Sequence, residues 1–226
     1  MRAVVLLSGG LDSTVTAAWA RADGDELYAL TIAYGQRHGV EVAQARAVAK
    51  ALGAREHTVL DVDLTRFGGS ALTSAQSVPK DRAASEREHG IPATYVPARN
   101  TVFLALGLAY AESRGASRIY IGANVVDYSG YPDCRPEFLR AFETVARMGT
   151  KAGVAGLAFE IKAPLLQLSK TDIIQKGLAL GAPLHLTHSC YDPGADGTAC
   201  ARCDSCLIRR EGFRAAGIQD PVRYAA

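Results

Sequence analysis

Ser8-Gly9-Gly10-Leu11-Asp12-Ser13 gathers the residue types that hold a polyphosphate: adjacent glycines, flanking hydroxyls and one carboxylate. Paired glycines let the backbone turn through dihedrals closed to other residues and pass close to a ligand, and the free amides of a helix start attract an anion. Ser8 and Ser13 add hydroxyl donors, and Asp12 offers a carboxylate suited to the magnesium that accompanies a nucleotide polyphosphate. No lysine follows the glycines and no third glycine is present, which excludes the G-x-x-x-x-G-K-[ST] loop and the dinucleotide fingerprint. A second cluster lies near the other end, where Cys190, Cys200, Cys203 and Cys206 are spaced C-x9-C-x2-C-x2-C. Cysteines two residues apart reach one tetrahedral ion from a tight turn, and four thiolates close a structural shell. One structural zinc per chain is therefore expected, with an iron–sulfur cluster as the alternative occupant and His185 and His188 as rival ligands. The insertion 191–199 holds little apolar material and is expected to owe its order to the metal.

Other residues have chemistry to offer at element boundaries. Arg99, placed just outside a helix start that Asn100 would cap, is a candidate ligand for phosphate or carboxylate; pairing with an acidic side chain is the alternative. The run 122–135 concentrates turn formers with hydrogen-bonding side chains and reads as a substrate loop. Its carboxylates Asp127 and Asp133 and its tyrosines, Tyr131 among them, suit a flat heterocycle that presents N–H donors and an aromatic face. Ser169 and Asp172 form a relative of the capping box, but Lys170 sits in the first helical turn, where a cation opposes the dipole unless an anion is near. Lys170 is thus the candidate for the phosphate lysine that the glycine loop lacks. Cys134 reads as a small buried hydrophobe without chemistry.

These residues need a scaffold. Val4 to Leu7 is a strand that feeds the glycine turn, and the Ala-rich Thr14 to Arg21 continues it as a helix. The apolar run Leu27 to Ala33 is a strand buried on both faces. Val40 to Leu52 has helical spacing and is stopped by Gly53; His57 to Val62 is the third strand. Strand and helix alternating with short joints predicts a doubly wound parallel α/β sheet with ligands at the carboxyl ends of its strands. Five strands are expected, the last two at Arg118 to Gly122 and Phe159 to Ala163, with a buried helix over Thr101 to Ser113. A further helix opens at Pro136 and lays down Phe138, Leu139, Phe142, Val145 and Ala146. The polar stretch Leu64 to Thr94 has no clear period and is expected either as a lid over the nucleotide or as a surface loop. Residues 1–186 would form the nucleotide-binding α/β domain, and 187–226 a cysteine knuckle and helix packed on it.

The 226 residues are 48% hydrophobic and 21% charged, which suits one globular unit with a sizeable core. The formal net charge of +2 does not call for nucleic acid, and the cluster Arg202, Arg209, Arg210 and Arg214 reads as a solvated helix face. Met1-Arg2-Ala3 runs directly into a short strand, so neither a leader nor a membrane span is expected and the compartment is read as cytoplasmic. Clustered cysteines in such a reducing compartment point to metal ahead of disulfides.

The glycine turn resembles the SGGxDS pyrophosphate loop of the ATP pyrophosphatases. Together with Pro97 to Asn100, the run Tyr128-Ser129-Gly130-Tyr131-Pro132-Asp133-Cys134-Arg135, Ser169 to Asp172 and the four cysteines, it makes the whole chain resemble the 7-cyano-7-deazaguanine synthase family. That resemblance implies an adenine nucleotide alpha hydrolase-like fold and a ligase that turns 7-carboxy-7-deazaguanine, ammonia and ATP into the nitrile. It implies Mg2+ with ATP, a structural zinc and a homodimer. By the same resemblance Leu7, Ser8, Gly9, Gly10, Leu11, Asp12, Ser13 and Arg99 bind ATP, Asp12 and Lys170 carry the catalysis, and Asp127 or Asp133, with Tyr131, reads the substrate. Two other readings are a transfer-RNA sulfur transferase of the same superfamily, which would need spare reactive cysteines, and a zinc-knuckle RNA-binding module, which would leave the loop unexplained.

Overall fold

The computed structural model describes residues 1–35, 40–87, 90–126 and 131–225. A parallel sheet in the order β3-β2-β1-β4-β5 forms the centre, built from β1 (Arg2–Leu6), β2 (Glu26–Ala33), β3 (Glu56–Asp61), β4 (Arg118–Tyr120) and β5 (Glu160–Lys162). The expected doubly wound α/β architecture is present, with the two last strands shorter than their apolar runs suggest. Side-chain alternation divides the core between the two faces of the sheet. Ala3, Val5 and Leu7 pack with α1 (Leu11–Ala22), α2 (Val40–Ala51), α7 (Lys170–Ala179) and α8 (Asp204–Ala215). Val4 and Leu6 pack on the other side with α4 (Arg99–Arg114) and α5 (Pro136–Gly149). Both faces of β1 are thereby buried, which is why its sequence reads as an unbroken apolar run.

β1 is bordered by β2 on one side and β4 on the other, so the chain leaves it in opposite directions and a crevice opens at its carboxyl end. The first turns of α1, α4 and α7 converge there: Leu11, Asp12, Arg99, Asn100 and Lys170 line one cavity. Three helix amino termini give this end of the sheet a positive field before any side chain is counted.

Several local expectations are corrected. Arg99 lies inside α4, not outside it, and the position before the helix is Ala98 in a left-handed conformation (φ 52°). Asn100 does not cap; Asp133 does, its Oδ2 accepting the Asn100 backbone N–H at 2.9 Å. Val145 of α5 is exposed, while Leu139, Phe142 and Ala146 face inward. None of the described residues of 64–94 lines the cavity. They form a turn at Leu64–Phe67, then a strap that crosses to the knuckle and ends in α3 (Ala84–Arg87). Lys80 pairs with Asp192, Arg82 with Asp204 and Arg87 with Glu211, at 2.8–2.9 Å, and Asp81 pairs with Arg202. The opposite charges on strap and knuckle, spread along both sequences, reveal their match only once the sheet has brought them together.

Candidate active site

The glycine turn is organised from within. The Ser13 hydroxyl accepts the Ser8 backbone N–H at 3.1 Å, lies 3.0 Å from the Ser8 hydroxyl, and the Ser8 hydroxyl accepts the Gly10 N–H at 3.3 Å. Both serines are thus fastened across the turn, facing the cavity. Gly9 has φ +84°, and a Cβ there would lie 2.4 Å from the Glu41 carbonyl oxygen, so no other residue lets the turn sit against α2. Leu7 and Leu11 serve through their backbones, because their side chains are buried in the core beneath.

Asp12 and Lys170 meet at the mouth of the turn, Lys170 Nζ donating to Asp12 Oδ1 at 2.6 Å. Lys170 starts α7 behind a complete capping box, in which the Ser169 hydroxyl accepts the Asp172 N–H and the Asp172 carboxylate accepts the Ser169 N–H. The capping and charge readings therefore hold together: Ser169 and Asp172 fix the helix start, and the lysine beside them reaches into the site. The stem of Lys170 is buried against α8, where Gly212 makes the room; a Cβ at Gly212 would stand 2.6 Å from Lys170 Cγ. A buried ammonium needs an anion, and Asp12 supplies one in the resting protein.

Residues just before the knuckle hold the turn from outside. The Gly9 carbonyl accepts the His188 N–H at 2.9 Å, and the Ser189 hydroxyl accepts the Leu11 N–H at 3.3 Å. Ser189 also accepts from Arg209 Nη1 at 3.3 Å, and Arg209 is clamped by Asp220 at 2.8 and 3.0 Å and by Thr187 at 2.8 Å. Arg209 is only 2% exposed and lines the cavity, so the solvated-face reading fails for it, although Arg202, Arg210 and Arg214 are exposed as expected. Sequence reasoning missed Ser189 and Arg209; the signal available was that Ser189 directly precedes the first cysteine of the cluster.

The other half of the cavity is aromatic. Tyr34, Phe103, Tyr131 and Tyr191 line it, with the Arg99 guanidinium 5.9 Å from the Tyr34 ring centroid and 5.8 Å from that of Phe103. Burial raises Tyr34 and Tyr131 above the usual phenol range, so both stay neutral. Tyr131 lies against Tyr95 and its hydroxyl is 3.2 Å from that of Thr94. Asp133 stands behind this wall: Oδ2 caps α4, and Oδ1 is buried with no hydrogen-bond partner among the described residues. Asp127 lies outside the described residues. Cys134 accepts from the Asn100 amide at 3.2 Å, and burial pushes its thiol up to about 11, which leaves it protonated and inert.

The ligand atoms of Cys190, Cys200, Cys203 and Cys206 lie within 4.8 Å of one another. Four sulfurs on a tetrahedral zinc would sit roughly 3.8 Å apart, and Cys200 and Cys206 are 4.0 Å apart, so the cluster fits such an ion. Backbone amides of Asp192 and Cys200 donate to the Cys190 sulfur, and that of Cys203 to Cys200, as thiolate ligands require. A divalent cation bound there would favour the ionised form of all four thiols, as metal ligation requires. Neither histidine joins the cluster: the His188 ring bonds the Gly197 carbonyl at 3.1 Å and His185 is exposed. Within the insertion the Gly194 N–H donates to the Thr198 carbonyl, the Asp196 carboxylate accepts the Thr198 N–H, and the Ala199 N–H donates to the Arg223 carbonyl.

Fold and cavity together define a nucleotide-binding α/β enzyme of the pyrophosphate-loop type. The model of queuosine biosynthesis protein QueC matches residues 2–217. The chain is 61% identical over its full length to 7-cyano-7-deazaguanine synthase of Azoarcus sp. (strain BH72) and 59% identical over 99% of its length to that of Myxococcus xanthus (strain DK1622), covering 97% of each. It belongs to the 7-cyano-7-deazaguanine synthase family and is an enzyme of the ligase type. Among solved structures, a 4-thiouridine synthetase in complex with RNA and bound ATP superposes with TM-score 0.51 at 21% identity, over 99% of this chain and 47% of that one. NMN synthetase from Francisella tularensis gives TM-score 0.50 at 17% identity, over 96% and 78%. These two likenesses concern the fold alone. Among the described residues no helix is long and apolar enough to cross a membrane.

Proposed function

We propose that this enzyme converts 7-carboxy-7-deazaguanine, ammonia and ATP into 7-cyano-7-deazaguanine by two successive adenylations in one cavity, releasing AMP and pyrophosphate each time. The observation that carries the reading is the Asp12–Lys170 pair at the mouth of the glycine turn, a carboxylate and an ammonium whose chemistry suits a reacting α-phosphate. A carboxylate does not expel oxide, so its oxygen must first become a leaving group. The substrate oxygen attacks the α-phosphorus and pyrophosphate departs into the turn, where the amides after Ser8 and the Ser8 and Ser13 hydroxyls take up its charge. Lys170 neutralises charge on the phosphates as they separate, exchanging Asp12 for the nucleotide. Mg2+ arriving with ATP, held by Asp12, would add charge neutralisation. Ammonia displaces AMP to give the amide, and adenylation of the amide oxygen then lets AMP leave as the triple bond forms.

Residues 1–186 would carry this chemistry, while 187–226, ordered around a structural zinc, brace the turn through Ser189. The family resemblance extends the reading to a cytoplasmic homodimer, and the exposed Val145, Met148 and Val154 on α5 and α6 (Lys151–Val154) support an interface there. The sulfur-transferase reading is disfavoured by the buried, protonated Cys134, the one thiol outside the cluster. The test is pyrophosphate and AMP release with a panel of acceptors. Two AMP per nitrile are expected with 7-carboxy-7-deazaguanine and ammonium; ADP and phosphate as products, or release indifferent to the acid, would refute it.

A further inference from the structure

The cavity holds two separate cationic provisions, and among the described residues only one is paired with carboxylates. On the phosphate side Lys170 is paired with Asp12 and Arg209 with Asp220. On the aromatic side Arg99 has no carboxylate partner among the described residues, and its Nε is screened from solvent without a hydrogen-bond acceptor. The guanidinium lies beside the contacting rings of Tyr34 and Phe103, whose centroids are 5.6 Å apart, and near the hydroxyl-bearing Tyr131 and Tyr191. Its position is fixed from behind, because Asp133 and Asn100 tie the first turn of α4 to the loop at 131–134. Screening part of a guanidinium from water with no carboxylate beside it among the described residues has a cost, and aromatic faces offset only part of that cost. The remainder is recovered when a ligand brings a carboxylate to the fork of the guanidinium.

We infer that Arg99 recognises the carboxylate of a planar heteroaromatic acid, and so sets preference for the acid substrate instead of binding ATP. This rests on the proposed reaction and refines it. The aromatic walls accept a flat ring system, and the guanidinium engages one carboxylate oxygen while the other is left to attack phosphorus. The amide that follows bears no charge, so Arg99 contributes little to its retention and the ring contacts hold it.

The experiment compares wild type with Arg99→Gln and Arg99→Lys, using 7-carboxy-7-deazaguanine and its 7-amido counterpart as alternative acceptors. Arg99→Gln should raise KM for the acid about 10- to 100-fold, as expected for loss of a charge-assisted hydrogen bond. KM for the amide and for ATP should change less than about threefold, and Arg99→Lys should recover part of the loss. An equal rise of KM for ATP with both acceptors would overturn the assignment and return Arg99 to the nucleotide. If the variants melt far below wild type, calorimetric binding to wild type alone decides: the acid must bind more tightly than the amide, and increasingly so at low ionic strength. Equal affinities would refute the inference. Wild type that binds the acid in this way but never turns it over would instead refute the proposed reaction, leaving the role of Arg99 standing.

Discussion

At the residue scale the site depends on charges that trade partners. Asp12 pairs with Lys170, and in the proposed reaction both would turn to the phosphates and their cation. Asp12→Asn keeps the shape and one hydrogen bond to Lys170 but removes the charge that metal binding requires. Its expected effect is loss of magnesium-dependent pyrophosphate release by about 100-fold or more, the scale on which removing a transition-state electrostatic contact acts. Melting temperature should stay within a few degrees, as roughly expected where no apolar packing is lost. A large drop in melting temperature with activity per folded molecule intact would place Asp12 in the scaffold and not in the chemistry.

At the element scale the knuckle and the glycine turn are one device. Ser189 accepts from Leu11 of α1 and from Arg209 of α8, and it is adjacent to the first cysteine of the cluster, so on the proposed reading ordering of the four cysteines would be transmitted to the amides that receive pyrophosphate. The strap at 80–87 adds ion pairs to the same knuckle from the opposite side. Metal analysis should therefore give one zinc per chain, and Cys203→Ser should lose it. The variant is expected to melt lower and to show a higher KM for ATP, with amide exchange accelerated at residues 188–189 and in the strap. Iron and sulfide in a brown protein would replace zinc by a cluster, and unchanged ATP affinity after metal loss would uncouple knuckle from turn.

At the scale of the whole molecule the glycine turn and the aromatic wall border the same cavity, and in the proposed reaction a nitrile requires two oxygens to leave. Acid and amide share a planar outline, so the same walls can present either oxygen to the same phosphorus. Synthetic 7-amido-7-deazaguanine should be converted to the nitrile with one ATP consumed and no ammonia added, whereas the acid consumes two. An amide that binds and is not dehydrated, while the acid is processed normally, would exclude a second adenylation at this site.

The linear sequence determined the sheet, the glycine turn and the cysteine cluster, because each is written in neighbours: apolar runs for strands, adjacent glycines for the turn, ligand spacing for the knuckle. It also placed Lys170 at a helix start, since a cation opposing the dipole is a local anomaly. It could not determine which of several arginines is buried. Arg209 differs from Arg210 only by its position on a helix that packs on α7, and Arg99 has Phe103 one turn along α4 but meets Tyr34 only across the fold. The bond from the Asn100 N–H at the start of α4 to Asp133 Oδ2, and the charge partners that the strap finds on the knuckle, likewise join segments far apart in the chain. Tertiary structure decided these points for one physical reason: the partner that satisfies a buried charge or an unbonded helix end can come from anywhere in the chain, and only folding brings it within reach.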